Sequence, residues 1–199
     1  MTSDIIINKI LIPSLQELYR RDYYNINNGV SERNICARLA YYMENNIHWY
    51  DSHSRNMEFQ DYYVDVEYDR MRKGKGEKKV DIKRYENNEH EKKRMVSDLL
   101  IHNRGQNPNY LAVEMKRKEN TKKRKEDRDR LEALVSIPEV MDPECVYGTL
   151  VGAFIIYSPD DIKIELYENV GTHGDNTGVI KMRYDKMRRD LVMCEYKRW

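Results

Sequence analysis

Two short apolar runs, Met95-Val-Ser-Asp-Leu-Leu-Ile-His102 and Tyr110-Leu-Ala-Val-Glu-Met-Lys116, flank the segment Gly105-Gln-Asn-Pro-Asn109. Glycine, asparagine and proline are the residues that tight turns demand. The pattern therefore predicts two strands folded back on one another. No other stretch constrains the fold as strongly, because a central hairpin needs further layers to cover its apolar side chains.

The flanking segments supply those layers. Residues 4–21 place Ile7, Leu11, Leu15, Leu18 and Tyr19 at spacings of three and four, which predicts a helix kinked or restarted at Pro13. A loop at Asn25-Ile-Asn-Asn-Gly29 precedes Ser31, the expected N-cap of a helix from Glu32 to about Asn46. Its inward stripe is Cys36, Leu39 and Met43 with Ile35 beside it, and stepping back four from Cys36 reaches Glu32. Tyr62 to Tyr68 alternates as a strand does. Residues 72–93 are charged and offer only Val80, Ile82 and Tyr85 for burial, so an exposed connection is expected. A helix from about Lys125 to Pro138 turns Leu131, Leu134 and Val135 inward. An apolar strand, Tyr147 to Tyr157, and an alternating one, Ile162 to Tyr167, follow. Gly171 to Gly178 reads as a loop, and the tail from Lys186 as a short helix. The order helix, three strands, helix, strand predicts an α/β fold, a mixed central sheet flanked by helices. The 199 residues suit one domain, with a core at 31–157, an N-terminal helical extension at 1–30 and a C-terminal strand and helix extension at 158–199.

Charge narrows the function. The net charge of +1 conceals a polarised chain. Between Arg70 and Arg130 there are 21 Lys+Arg against 11 Asp+Glu, about +10, while the remainder holds 14 against 23, about −9. A polyanion is thus a suitable partner for one side of the molecule. No run approaches the roughly 18 apolar residues of a membrane span, and Met1-Thr-Ser-Asp has neither the basic start nor the apolar stretch of a signal peptide. Three scattered cysteines provide no disulfide framework and no zinc site. A cytoplasmic location is expected.

With the turn centred near Asn107, Asp98 and Lys116 lie nine residues to either side and would face one another. Glu114, two before Lys116, points to the same face, while Leu111, Val113 and Met115 point to the other. Directly opposite side chains stand roughly 5 Å apart at Cβ and diagonal ones roughly 7–8 Å, so Asp98, Glu114 and Lys116 converge. Two carboxylates aimed at one point repel unless neutralised. A divalent cation with oxygen ligands at about 2.1 Å, Mg²⁺ above all, neutralises them. Metal, activated water and lysine are the parts that phosphodiester hydrolysis needs. Arg117, Lys118, Lys122, Lys123, Arg124 and Arg128 surround the constellation and, with Arg104, are the expected nucleic-acid contacts, while a polar role near the turn suits Arg104 and His102 equally well. An acid and a lysine two apart on a strand also commonly form a solvated face.

Ser97-Asp98, fifteen intervening residues, then Glu114-Met-Lys116 resembles the PD-(D/E)XK motif of the restriction-endonuclease-like nuclease superfamily. Four ordered segments carry a narrower likeness to a group of small bacterial members of that superfamily. They are Ser31-Glu-Arg-Asn-Ile-Cys36, Val64-Asp-Val-Glu-Tyr68, Asp98-Leu-Leu-Ile-His-Asn-Arg-Gly105 and Asn109-Tyr-Leu-Ala-Val-Glu-Met-Lys116. The pattern's proline is replaced by Ser97. The resemblance implies an αβββαβ core over 31–157. It makes Asp98 and Glu114 metal ligands, with the Met115 backbone carbonyl a further one and Lys116 the catalytic lysine. Glu32 matches the first-helix glutamate that many members aim at the metal. An acid in the first turn of a helix also simply complements the macrodipole, by about 0.3–1 kcal/mol. Glu67 is an acid that would line the site, and Asp129 fits the start of the second core helix in a capping or supporting role. The implied activity is Mg²⁺-dependent hydrolysis of DNA, with Mn²⁺ a suitable substitute. The alternative is a catalytically silent module binding nucleic acid or protein on the same fold. The oligomeric state stays open, a homodimer included.

Several motifs are set aside. His48 and His53 have no acids at metal spacing, and His90, His102 and His173 are isolated. The 171–178 loop lacks the Gly-Lys-Ser/Thr ending of a P-loop. The sixteen tyrosines are more often core residues with polar tips than base-stacking platforms.

Overall fold

The computed structural model describes residues 2–55, 57–67, 79–84, 89–94, 96–104, 108–140, 142 and 145–199. At the N-terminus Ser3–Ile5 (α1) passes through a π-helical segment, Ile6–Leu11, into Ile12–Asn27 (α2). Pro13 stands in the first turn of α2, directly after the π-helical segment. The hydrogen-bond pattern thus changes from π to α at the proline, as the expected restart requires. The second long helix, Glu32–His53 (α3), begins where Ser31 accepts a hydrogen bond from the Asn34 N–H. It runs well past the expected end near Asn46, because Ile47 continues the buried stripe and the segment to His53 contains neither glycine nor proline.

The strands are Tyr62–Val66 (β1), Lys79–Arg84 (β2), Glu89–Arg94 (β3), Leu99–Asn103 (β4) and Leu111–Arg117 (β5). Then come the helix Arg124–Val135 (α4) and Val151–Tyr157 (β6), Asp161–Val170 (β7), His173–Asp185 (β8) and Asp190–Arg198 (β9). The fold is mixed α/β, with seven strands in one sheet in the order β1-β4-β5-β6-β7-β8-β9. Among the described strands of this sheet, only β5 and β6 pair in parallel. A parallel pair needs a long crossover, and α4 provides it.

Helices α2 and α3 cover one face. Cys36, Leu39 and Met43 are buried there in one cluster with Val113, Met115 and Ile155. Helix α4 covers the other, where Leu131 and Leu134 meet Leu100, Ala112 and Phe154. Alternate residues of β5 therefore enter different cores: Leu111, Val113 and Met115 turn to the α3 side, and Ala112 turns to the α4 side. By the same alternation Glu114 and Lys116 belong to the α4 side. No helix among the described residues is long and apolar enough to cross a membrane.

Four expectations need correction. The stretch 72–93 is not wholly an exposed connection: its described part is the antiparallel hairpin β2–β3, with Val80 and Ile82 buried against α4. Lys79-Val-Asp-Ile-Lys83 has the period of two that a half-buried strand needs, and its charge content masks it. The supposed loop 171–178 is mostly strand, since β8 starts at His173. Gly174 and Gly178 serve close packing: a Cβ on Gly174 would stand 2.1 Å from the Glu132 carbonyl oxygen of α4, and one on Gly178 2.7 Å from the Lys197 carbonyl oxygen. The tail is strand β9 paired with β8, not a helix. Finally, the β4–β5 register sets Leu99 against Val113 and Ile101 against Leu111. Continued by one residue, it brings Asp98 opposite Glu114 rather than Lys116. The shift is two residues, so the face is preserved.

Candidate active site

Asp98 sits at the bend just before β4, and one of its carboxylate oxygens accepts the backbone N–H of Met115 at 2.7 Å. Its own carbonyl accepts the N–H of Glu67 at 3.2 Å. The hairpin therefore holds Asp98 against β5 by backbone geometry. Glu114, 2% exposed, has its Oε1 2.9 Å from Arg130 Nε. The two groups are close but misaligned, and neither atom makes a hydrogen bond. Lys116 Nζ lies 3.4 Å from Asp127 Oδ2 and 4.0 Å from Glu32 Oε2. Arg130 also pairs with the other oxygen of Asp127. Glu32 completes the group from the start of α3. Its Oε1 accepts the Arg117 backbone N–H at 2.9 Å and Asn120 Nδ2 at 3.1 Å.

Asp98, Glu114, Lys116 and Glu32 thus gather at one end of β5, as the sequence predicts. Glu114 and Met115 are buried within the β5–β6 pairing, and the Met115 sulfur packs 3.7 Å from Cys36 Sγ. Glu67 stands on the rim, in the left-handed region at φ 51°, paired with Arg33 at 2.6 Å. Asp129 is not at the start of α4, which begins at Arg124 with Lys123 as N-cap. The supporting acid from this helix is Asp127, two residues earlier and 2% exposed. Asp127 and Arg130 are the site residues that sequence reasoning missed. A signal existed, because Asp127 lies four before Leu131 and seven before Leu134 on the inward stripe. Tyr157 was missed too. It is buried, its hydroxyl makes no hydrogen bond, and burial, with the negative charge of Glu32 adding to it, pushes that hydroxyl above its ordinary value.

The charges disturb one another. Burial pushes the Asp98 carboxyl above its ordinary range, with Asp127 and Glu32 adding to the rise and the Met115 N–H and Lys116 opposing it. Burial pushes Glu114 up strongly, and Arg130 only partly offsets this. Burial depresses the Lys116 ammonium, but Asp127, Asp98, Glu32 and Glu114 outweigh it and hold the group above its usual value. Lys116 is therefore a firm cation here. It is suited to stabilising developing negative charge rather than to removing a proton.

The expected nucleic-acid contacts are mostly occupied within the chain. Arg104 grips Asp65 with two nitrogens and lies over the Tyr63 ring, and buried His102 bonds the same carboxylate. Arg117 donates to the Ile26 carbonyl at the end of α2. Lys118 pairs with Asp161 at 2.7 Å, Arg124 donates to the Asn120 and Lys118 carbonyls, and Arg128 forks onto Glu165. Lys122 and Lys123 are exposed and form no ion pair with another described residue.

Four carboxylates (Glu32, Asp98, Glu114, Asp127) face two cations (Lys116, Arg130), a formal excess of two negative charges. Among the described residues, no group of three or more His, Cys, Asp or Glu side chains is arranged to hold a metal ion. Protein cations instead lie between the acids. The donor set nevertheless suits a hard divalent cation: it consists of oxygens, it is two charges short of neutrality, and Glu114 Oε1 and Asp127 Oδ2 are buried without hydrogen-bond partners. Comparison of the chain with protein-family models, with curated proteins and with solved structures gives no match.

Proposed function

We propose that the protein is a metal-dependent nuclease of the PD-(D/E)XK class that hydrolyses phosphodiester bonds of DNA in the cytoplasm. The observation that carries this reading is the meeting of Asp98, Glu114, Lys116 and Glu32 at one end of β5, on neighbouring strands and the first turn of α3. It is supported by the order α3, β1, β4, β5, α4, β6, which is helix, three strands, helix, strand once the separate β2–β3 hairpin between β1 and β4 is set apart as an insertion. Asp98, Glu114 and Glu32 would hold Mg²⁺ or Mn²⁺, together with the Met115 carbonyl. The bound metal supplies charge neutralisation and an activated water. Lys116 supplies a fixed positive charge for the phosphate oxygens as negative charge builds on them. Exposed Lys122 and Lys123, with exposed Lys118 and Arg104 beyond their present partners, offer the cations a polyanion meets first.

One observation favours the alternative, a catalytically silent binding module. Glu114 is directed at Arg130, which also pairs with Asp127, so a protein cation already serves the buried acids. A cleavage assay with supercoiled, linear and branched DNA, and with RNA, in Mg²⁺ or Mn²⁺ separates the two. Cleavage is expected, with Lys116→Met slowing it by roughly 10²–10³-fold and Asp98→Asn abolishing the metal-dependent cleavage. Metal-independent binding without cleavage, or equal cleavage by both variants, would sink the nuclease reading.

A further inference from the structure

We infer that Arg130 is a built-in competitor of the divalent cation: the guanidinium occupies the charge position beside Glu114 that a metal held by this carboxylate would take, so it sets the metal concentration at which the site loads. This rests on the metal reading of the same site and adds its regulation.

The contact itself carries the inference. Arg130 lies 2.9 Å from Glu114 and pairs with Asp127, and both acids are 2% exposed. A guanidinium that belonged permanently to Glu114 would be expected to form the parallel two-nitrogen fork that arginine makes with carboxylates. Arg128 does so with Glu165, at 2.6 and 3.1 Å. Arg130 does not: its Nε and the facing Glu114 Oε1 make no hydrogen bond, and Asp127 Oδ2, 3.4 Å from Lys116 Nζ, makes none either. Three buried polar atoms in one small region thus carry charge attraction without hydrogen bonds. Such atoms are costly in the interior. A cation at Glu114 Oε1 would satisfy that oxygen and release Arg130 Nε. One site cannot hold the guanidinium and a metal on the same oxygen, so the two exclude one another. The placement of Asp127 and Arg130 one helical turn apart on α4 makes the device local. It needs a side-chain movement and no change of fold.

The test measures metal binding without nucleic acid. Free Mn²⁺ is followed by electron paramagnetic resonance during titration of wild type, Arg130→Gln and Asp98→Asn. In parallel, the Arg130 Nε–Hε resonance of the wild-type protein is followed by NMR as Mg²⁺ is added. Arg130→Gln is expected to bind Mn²⁺ roughly tenfold more tightly, about 1.4 kcal/mol. Asp98→Asn should lose the binding, and the Arg130 resonance should shift with Mg²⁺. Should Arg130→Gln fail to fold, the wild-type resonance decides alone. Mn²⁺ binding by wild type with no gain in Arg130→Gln, or with an unmoved Arg130 resonance, overturns the competition and leaves the metal site standing. Absence of binding in wild type and Arg130→Gln alike overturns both.

Discussion

Glu32 separates scaffold from chemistry more cleanly than any other residue of the site. Its Oε1 holds the Arg117 backbone N–H at 2.9 Å and Asn120 Nδ2 at 3.1 Å, tying the start of α3 to the end of β5. Glu32→Ala strands a part-buried N–H. A hydrogen bond to a charged acceptor contributes about 1.5–3 kcal/mol, and the Asn120 bond about 1 kcal/mol. The first-turn acid adds a few tenths through the macrodipole. The expected loss is about 3 kcal/mol, which for a chain of this size lowers Tm by about 6–12 °C. Glu32→Gln keeps an amide oxygen for both donors and loses only charge assistance, about 1 kcal/mol or about 2–4 °C. Thermal unfolding followed by circular dichroism in EDTA isolates this structural part. The same Gln variant should then bind Mn²⁺ more weakly than wild type although its fold is retained. Equal destabilisation by Gln and Ala, or an Ala variant within about 2 °C of wild type, would show that Glu32 is not the tether the geometry implies.

Two further outcomes follow from contacts outside the site. Burial would raise the Glu165 carboxyl, but hydrogen bonds from Arg128 and Lys163 outweigh it and bring it down to about 2. Its contribution is therefore complete above the unfolded value near 4.5 and lost as pH falls toward 2, so Glu165→Gln should cost roughly 1–2 kcal/mol at pH 7, discounted for solvent screening, and flatten acid unfolding between pH 4.5 and 2 in denaturant titrations. Gly174→Ala puts a Cβ 2.1 Å from the Glu132 carbonyl and 2.4 Å from Val135 Cγ2; it should cost about 3 kcal/mol or more by forcing α4 off the sheet, whereas Gly171→Ala, with open space but φ +71°, should cost only about 1–2 kcal/mol, and similar melting temperatures for the two would refute the packing argument.

The parts of the fold that could be read in advance share a cause. Where apolar residues recur with a clean period, as at Cys36, Leu39 and Met43 in α3 or at Leu111, Val113 and Met115 in β5, burial on one face dictates the element. The failures share a cause as well. In β2 only Val80 and Ile82 are buried, and lysine and aspartate fill the intervening positions. In β8 glycine stands where α4 or β9 comes too close for a side chain, so a strand carries the composition of a loop. Both segments owe their conformation to a neighbour distant in sequence, and local pattern does not encode the neighbour. The hairpin register departs from turn centring for a related reason. Turn centring is an argument from symmetry, whereas the observed pairing follows from which residues the two cores bury.

The site was legible to the extent that strands carry it. Asp98, Glu114 and Lys116 share a face by the alternation of two, which survives a register shift of two residues. Glu32 follows from an inward stripe. Asp127 and Arg130 lie in Arg124-Lys-Glu-Asp-Arg-Asp-Arg130, where every residue is charged and no apolar neighbour marks the inward positions until Leu131. Their omission still leaves the electrostatic argument intact. Asp98, Glu114, Glu32 and Lys116 alone carry a formal excess of two negative charges. Asp127 and Arg130 add one charge of each sign and leave that excess unchanged. The demand for a divalent counter-charge is thus the same in the sequence and in the structure. What α4 adds is a cation already in place at the buried acid, which turns the question from whether the acids need a cation to which cation they hold.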